Sequence, residues 1–425
     1  MERVAITPLR DWQSAAEELG FDWHTAEAPG GGPQPYWDES AYWQLSAAEV
    51  DDIEAATAEL HAMCLDAVAH IIAEKEFTPF GLTPAQAGLV AASWARREDE
   101  DLSLYGRFDL AIPGNGDIKM LEYNADTPTG LYEAAVMQWQ WLQTVFPDRD
   151  QFNSLHEALV ARFQEIRLRW QARGVPMESE RREELNTLHL IAADIPEDRG
   201  TIAYLAEVAL EAGFRAKTLA ADRVGWAETG APVTRGSGVT GWFVDTEDQP
   251  IAGLFKLQPW EWLLADDFGE KLLALTDAGI VRVIEPAWKM LLSNKAILPV
   301  LWRLNPGHAL LCEAHADRHA FKRPLRVVAK PKLGREGANV SIADLDAAGE
   351  ITGAPLDHVD GPYGQEGYIY QEAVPLAQAT TARGPVHAVI GSWIVGDESR
   401  GIGIRESNTL ITGNTSRFVP HCFTP

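Results

Sequence analysis

Apolar residues in the first half of the chain recur mainly with a helical spacing. From Ser46 they follow a period of three to four residues through Val50 and Ile53 as far as Ile71. Ser46-Ala-Ala-Glu49 has the form of a capping box, so the pattern predicts a helix that begins at Ser46. The same period predicts two later helices, over Leu131–Phe146 and Phe152–Arg173. Turn residues and aromatics dominate residues 1–45, so we expect this amino-terminal segment to consist mainly of loops.

Short apolar runs replace this pattern after Asn186. Thr187–Ala193 is a predicted strand, Pro196–Gly200 a turn and Thr201–Gly213 an amphipathic helix, which together form an α/β unit. Further strands are predicted over Trp242–Val244, Ile251–Phe255, Gly279–Ile284, Leu325–Lys330 and Gly367–Glu372. The mixture of helices and strands predicts an α/β (mixed α+β) fold.

Composition limits the class of protein. A chain of 425 residues with 46% hydrophobic content can fill two or three lobes. Three separated cysteines, Cys64, Cys312 and Cys422, support neither a disulfide framework nor a zinc site, and we expect buried or inert thiols. A formal net charge of −26 argues against duplex nucleic acid. No uncharged apolar run of about eighteen residues and no apolar signal core occurs, so we expect a cytoplasmic protein without membrane contact.

Charged side chains crowd a predicted hairpin whose turn is Ile112–Asp117. Because residues two apart share a face of a strand, Arg107 points the same way as Asp109. Glu122 and Asn124 share a face of the second strand in the same manner. If the two faces coincide, a cation, two carboxylates and an amide converge. For the hairpin alone, a solvated outer face is the commoner arrangement.

Three other segments carry candidate chemistry. The loop Lys330–Asn339 holds two glycines after a strand, which suits phosphate binding, although a surface hairpin turn is the commoner explanation. Lys295 stands at the start of an apolar helix, where most lysines are solvated. Tyr370–Val374 could offer backbone groups to a purine, or form an edge strand.

Taken together, these segments resemble the synthetase part of glutathionylspermidine synthase, and most closely its shorter bacterial members described as acid–amine ligases. The resemblance covers nearly the whole chain and implies an ATP-grasp fold with several lobes. The motifs that carry it are Arg107-Phe-Asp109, Glu122-Tyr-Asn124-Ala-Asp126, Asn294-Lys295-Ala-Ile-Leu-Pro299, Ala329-Lys330-Pro331, Gly334-Arg-Glu-Gly337-Ala-Asn339, Ile369-Tyr-Gln-Glu372, Gly391-Ser-Trp-Ile-Val395 and Gly403-Ile-Arg405.

The resemblance also implies roles for individual residues. Magnesium is bound at the positions of Asp109, Glu122 and Asn124, while Arg107 stabilises the transition state and Arg405 lies near the reacting phosphate. The positions that contact ATP are Arg107, Phe108, Asp109, Lys295, Lys330, Glu336, Gln371, Glu372, Ala373, Val374 and Leu410. The acid-substrate positions are Thr127, Thr129, Glu197 and Asp198.

The implied activity is that of an ATP- and Mg²⁺-dependent acid–amine ligase, which forms an amide through an acyl phosphate and releases ADP and phosphate. Its partners would be ATP, a carboxylic acid such as a peptide or glutathione, and an amine such as a polyamine. Leu257 and Trp262 replace small hydroxyl residues of the family, which puts glutathione and spermidine in doubt. Two alternatives stay open: a nucleotide- or peptide-binding protein that joins nothing, and a phosphotransferase that uses the same pocket.

The motifs divide the chain into four predicted regions. Residues 1–185 form a helical region with the metal-binding hairpin at 101–130, and residues 186–288 form an α/β lobe on the substrate side. Residues 289–375 form the ATP-grasp lid with its glycine loop, and residues 376–425 complete the ATP site. The amidase domain of the bifunctional family members is expected to be absent.

Overall fold

A computed structural model describes residues 1–27, 32–114, 116–173, 186–233, 238–265, 268–382, 384–413 and 416–424. Its α-helices are α1 Trp12–Glu18, α2 Ala47–Glu74, α3 Pro84–Ala95, α4 Gln138–Val145, α5 Leu155–Arg173, α6 Pro196–Glu211, α7 Trp260–Ala265, α8 Gly269–Asp277, α9 Met290–Ser293 and α10 Ile297–Leu304. A π-helical turn, Glu133–Met137, precedes α4.

The strands fall into two halves of the chain. Those of the first half are β1 Glu2–Ala5, β2 Thr25–Glu27, β3 Pro33–Pro35, β4 Ala41–Ser46, β5 Tyr105–Ala111, β6 Lys119–Asn124, β7 Thr187–Ala192, β8 Arg215–Ala220, β9 Gly225–Glu228, β10 Gly241–Val244, β11 Gly253–Lys256 and β12 Arg282–Ile284. Those of the second half are β13 Ala314–His315, β14 Leu325–Pro331, β15 Ser341–Leu345, β16 Ile351–His358, β17 Tyr368–Glu372, β18 Ala377–Thr381, β19 Gly384–Val395, β20 Glu398–Ser407, β21 Arg417–Val419 and β22 His421–Thr424.

Three sheets position the site. The central sheet is antiparallel in the order β21-β20-β19-β5-β6, and β18 also pairs with β19. A parallel sheet, β12-β11-β7-β8, lies within residues 186–288, the region predicted to be the substrate-side lobe, with α6 following β7 and α7 following β11. The antiparallel sheet β13-β17-β14-β15-β16 lies within residues 289–375, the region predicted to be the lid, and keeps that name below. Parallel and antiparallel sheets with helices between them confirm the predicted mixed α/β fold.

Helix α2 forms as the apolar spacing predicts. Ser46 is its N-cap, with the reciprocal Ser46–Glu49 capping box in place. By length and composition alone α2 could span a membrane, although half of its most apolar window is buried inside the protein. Ile53, Leu60 and Ile71 are buried in the same hydrophobic core as Leu110 of β5. Helices that pack against a sheet inside a protein can have the same length and apolar composition. The composition of α2 is therefore weak evidence for membrane contact.

Several sequence predictions need correction. Pro196–Gly200 is not a turn but the first turn of α6, which begins at Pro196 because proline suits the first helical position. Residues 1–45 are more ordered than a loop-rich entry: β1 and β4 form a sheet with the carboxyl-terminal strand β22. The three cysteines are buried free thiols, as expected. In the amino-terminal region, residues 28–31 lie outside the described residues. Asn115, in the turn of the charged hairpin, also lies outside them.

Candidate active site

The hairpin β5–β6 brings its charged side chains onto one face. Arg107 is directly opposite Asn124, and Asp109 is directly opposite Glu122. Directly paired residues of antiparallel strands project from the same face, so the faces that the sequence left undecided do coincide. Beyond Asp109 the register shifts by a β-bulge. The cation, two carboxylates and amide therefore form one cluster.

Strand β19 on the other side of β5 makes room for this cluster. Gly391 is paired with Asp109, and a Cβ atom at Gly391 would lie 2.7 Å from Cδ of Arg107. The arginine side chain therefore crosses the sheet where the neighbouring strand has no side chain. Its guanidinium lies 5.6 Å from the ring centre of Trp393, which pairs with Arg107 in the ladder.

Asp109 lies between two guanidinium groups. Nε of Arg107 donates to Oδ1 of Asp109 at 2.7 Å, and Nη2 of Arg405 lies 2.6 Å from Oδ2. A second Arg107 nitrogen donates to the carbonyl of Thr129. Burial lowers the pKa of Arg107, but the charge of Asp109 outweighs burial and raises it overall. Arg107 is thus a fixed, fully charged group at the head of the cavity.

Glu122 faces two lysines from other elements. Nζ of Lys295, just before α10, lies 3.2 Å from Oε2 of Glu122, while Asn124 Nδ2 donates to Oε1 at 3.1 Å. Lys330 at the end of β14 donates to the carbonyl of Leu121 at 2.8 Å. Burial opposes ionisation of Glu122, but the two lysine charges outweigh it and lower its pKa to about 2. Burial also lowers the pKa of Lys330.

The glycine loop follows β14 and closes over the hairpin. Lys295 Nζ donates to the Gly334 carbonyl at 2.7 Å. Arg335 reaches across the cavity, with one nitrogen 2.8 Å from Oγ1 of Thr127 and another 2.9 Å from Oε1 of Glu261 on α7. Glu336 has φ 53°, a left-handed conformation that non-glycine residues seldom adopt. The loop therefore connects the lid to both the hairpin exit and the substrate-side lobe.

An acidic recess, formed by Glu133, Glu197 and Asp198, lies beyond Thr129. Oε1 of Glu133 accepts bonds from Trp23 Nε1 at 2.9 Å and from the Tyr36 hydroxyl at 2.8 Å. Within the described part of the chain, Oε2 of the same buried carboxyl has no hydrogen-bond partner. Burial raises the pKa of Glu197, and the nearby Thr129 side chain lowers it by a smaller amount.

Proton affinity in the acidic recess is unusually high. Burial, followed by the charges of Glu133 and Asp198, raises the pKa of Glu197 to about 8. Burial also raises the pKa of Asp198 to about 6. The three carboxyls therefore carry less negative charge at neutral pH than three exposed ones would, and a bound cation would favour their ionised form.

A cavity of about 640 Å³ joins these groups. Sixteen of the predicted site residues line it: Arg107, Asp109, Glu122, Asn124, Thr127, Thr129, Asp198, Lys295, Lys330, Glu336, Gln371, Glu372, Ala373, Val374, Arg405 and Leu410. Two do not. The buried side chain of Phe108 projects from the opposite face of β5 and stacks on Tyr123 with 3.8 Å between ring centres, and Glu197 lies behind Thr129.

The far end of the cavity is flat and apolar. Strand β17 pairs with β14 on one side and with the short β13 on the other, so Tyr370–Glu372 is not an edge strand. Gln371 is buried and donates to the Met120 carbonyl at 3.2 Å. Beyond it the lining is apolar and includes Val328, Val389 and Leu410. Apolar walls at the end of β17 suit a flat heteroaromatic ring.

The donor set fits magnesium. Asp109, Glu122 and the amide oxygen of Asn124 supply hard oxygen ligands from adjacent positions of one face. In the described residues, no group of three or more His, Cys, Asp or Glu side chains could hold a metal ion. The site formed by Asp109, Glu122 and Asn124 has only two carboxylates, so it falls outside that definition. Two carboxylates and one amide suit an ion that keeps water and phosphate oxygens as further ligands.

Comparison with known proteins identifies the family. The profile described as "Glutathionylspermidine synthase preATP-grasp" matches residues 3–424. The chain belongs to the glutathionylspermidine synthase family. This membership confirms the family that the sequence motifs resemble.

Family relatives differ in length. A Haemophilus influenzae protein named "Putative acid–amine ligase" is 39% identical over the full length of both chains. Trypanothione synthetase of Crithidia fasciculata is 27% identical over 85% of this chain, which spans 53% of that enzyme. The bifunctional glutathionylspermidine synthetase/amidase of Escherichia coli is 23% identical over 90% of this chain, which spans 59% of it. These names agree with the expected class of enzyme, a ligase.

One solved structure has the same fold. A glutathione synthetase-like effector from Globodera pallida superposes with a TM-score of 0.54 at 10% identity, covering 99% of this chain and 98% of that one. Together with the family match, it confirms the predicted ATP-grasp fold of this family member.

Some site residues escaped the sequence analysis. Arg335 lies in the glycine-loop motif, which predicts no role for it, yet it lines the cavity. Tyr36, Glu133 and Glu261 reach the site from three separate elements, and no local pattern distinguishes them from packing residues.

Proposed function

We propose that this protein is an ATP- and Mg²⁺-dependent acid–amine ligase that forms an amide through an acyl phosphate. The observation that carries the proposal is the convergence of Arg107, Arg405, Lys295 and Lys330 around two carboxylates in one cavity, with an acidic recess at its other side. A cationic side would hold phosphates. The family resemblance gives Glu197 and Asp198 as acid-substrate positions, but we assign the acidic recess that they form to the amine, because clustered carboxyls attract a cation.

The nucleotide would lie between the lid and the hairpin. Lys295 and Lys330 face its phosphates as point charges, and Gln371 to Val374 with Leu410 hold the base. Asp109, Glu122 and Asn124 would hold magnesium, which neutralises phosphate charge when it is bound. Glu122 is ionised throughout the physiological range, as a metal ligand must be.

The reaction has two steps. A carboxylate oxygen of the acid attacks the γ-phosphorus of ATP, the bond to the bridging oxygen breaks, and ADP leaves. The amine nitrogen then attacks the acyl carbon, loses a proton, and displaces phosphate. Arg107 holds its donors fixed beside Thr129, where negative charge would develop, so little reorganisation is needed.

The lid excludes water from the intermediate. Arg335 connects the glycine loop to Thr127 and Glu261, and it closes the cavity over the hairpin exit. An acyl phosphate exposed to water would hydrolyse, so closure protects the product of the first step.

The test is a screen of acids and amines that scores ADP, phosphate and product mass together. The expected result is amide product and ADP in equal amounts, dependent on magnesium, acid and amine. A phosphorylated hydroxyl with ADP would instead show a phosphotransferase. Nucleotide binding without turnover under every pair would show a binding protein. The Asp109→Asn variant serves as the inactive control, since it removes charge between Arg107 and Arg405.

A further inference from the structure

One wall of the cavity is apolar. It is formed by Ile195, Leu257 and Trp262. Two of these side chains are large and exposed, Ile195 at 50% and Trp262 at 52%. Single exposed apolar residues are ordinary on a protein surface, but two of them on the wall of a cavity indicate contact with a ligand.

The parallel sheet fixes this wall. Ile195 follows β7 at the start of α6, and Leu257 follows β11 directly. The two strands are neighbours, and the Leu257 amide donates to the Ile191 carbonyl at 2.8 Å. Ligands of open parallel sheets bind outside the carboxyl ends of the strands. The wall is therefore a built surface at the expected edge of the sheet.

The wall lies close to the acid-substrate threonines. The guanidinium of Arg335 is 2.8 Å from Oγ1 of Thr127 and 6.0 Å from the ring centre of Trp262. The Arg335 guanidinium therefore lies between Thr127 and Trp262. An acid bound at Thr127 would therefore have its neighbouring group on the Trp262 side of the cavity.

We infer that the acid substrate carries a bulky apolar group next to its reacting carboxylate, as a peptide ending in leucine or phenylalanine does. Trp262 and Ile195 are then specificity-determining residues. The inference rests on the proposed ligase function. A peptide ending in glycine would leave both side chains facing water, whereas a leucine or phenylalanine side chain would cover them.

The distribution of charge favours a different part of the cavity for the amine substrate. The acidic recess lies beyond Thr129, and a cationic amine gains more there than against an apolar wall. The apolar wall is thus left to the acid.

The experiment compares N-acetylated peptides that differ only in the last residue: leucine, phenylalanine, glycine or aspartate. One amine found active in the screen is used throughout, and amide formation is followed by product mass. We expect kcat/KM for the leucine and phenylalanine peptides to exceed that for the glycine peptide about tenfold or more. In Trp262→Ser and Ile195→Ser this ratio should fall towards one.

The matched control is Leu210→Ser, since Leu210 on α6 is 55% exposed and does not line the cavity. It should keep the wild-type ratio. Equal or better use of the glycine peptide, or an unchanged ratio in both wall variants, would overturn the inference while leaving the ligase intact. Absence of amide product with every acid would refute the ligase itself.

Discussion

Lys256 and Asp126 form an ion pair in which both side chains are almost completely buried, at 0% and 1% exposure. Asp126 follows β6, which carries the proposed magnesium ligands Glu122 and Asn124, while Lys256 ends β11 of the parallel sheet. The other oxygen of Asp126 accepts from the Trp260 amide at 3.0 Å, at the start of α7. One carboxylate therefore joins the hairpin exit to the helix that carries Glu261 and Trp262.

Removing this carboxylate should destabilise the protein strongly. Asp126→Ala leaves the Lys256 charge buried without its counterion, and breaking such a pair costs about 3–5 kcal/mol. We expect a matching fall in the free energy of unfolding, measured by chemical denaturation.

The control is Asp344→Ala, which breaks the exposed pair with Arg326, where the side chains are 49% and 46% exposed. Such surface pairs contribute less than about 1 kcal/mol. Equal losses in the two variants would show that the Asp126 pair has no special role.

The metal assignment predicts a large effect at Glu122. Glu122→Gln keeps the shape of the side chain but removes the charge that Lys295 and Lys330 hold ionised. We expect the magnesium concentration for half-maximal ATP turnover to rise at least about tenfold, with kcat reduced. Glu157→Gln, at an exposed position in the first turn of α5, should change neither value. An unaltered magnesium dependence in Glu122→Gln would remove Glu122 from the metal site.

Two lysines of the lid allow a matched test of the phosphate site. Lys330 is buried against the hairpin and lines the cavity, whereas Lys332 lies two residues later, near Gly367, and does not line it. Lys330→Met should weaken ATP binding about tenfold or more, because a point charge beside the phosphates is lost. Lys332→Met should bind ATP normally. Calorimetry with a non-hydrolysable ATP analogue measures both, and normal binding by Lys330→Met would contradict the assignment.

Local pattern predicted the parts of the site that lie within one element. The two-residue period of the strands placed Arg107 with Asp109 and Glu122 with Asn124, and the ladder confirms that they share a face. The pattern could not decide whether those faces coincide, because that depends on the register and on the bulge after Asp109.

Local sequence patterns could not predict contacts between elements that are distant in sequence. Arg335 meets Glu261 across 74 positions of sequence, and Tyr36 meets Glu133 across 97. Such pairs depend on how lobes pack, which propensity and period do not describe. The error at Pro196–Gly200 has a different origin, since proline and glycine signal turns but also occur in the first turn of a helix.

Amine binding should depend on pH through the acidic recess. Burial raises the pKa of Glu197 to about 8 and that of Asp198 to about 6. Buried Glu133 and the lid residue Glu336 also have raised pKa values. The cations that face these carboxyls are Arg107, Arg335 and Arg405. As the pH rises through about 6 to 8, the carboxyls ionise and attract a cation more strongly, so the KM of a polyamine should fall.

Steady-state kinetics at fixed ATP and acid measures this KM. Asp198→Asn removes the group that titrates near pH 6 and should flatten the lower part of the profile. A KM that rises with pH, or one that does not change in wild type, would exclude the acidic recess as the amine site.

A side chain introduced at Gly391 should reduce catalysis selectively. In Gly391→Ala the new Cβ would lie 2.7 Å from Cδ of Arg107, which is held by Asp109 and Thr129 and cannot swing away at its tip. The guanidinium must therefore shift, and we expect kcat to fall about tenfold or more because its donors leave the position where charge develops. Gly88→Ala on α3 is the matched control, since its Cβ meets nothing within 4 Å and alanine favours the helix. Gly88→Ala should keep full kcat and gain slightly in stability. Wild-type kcat in Gly391→Ala would show that the exact placement of Arg107 does not matter to the reaction.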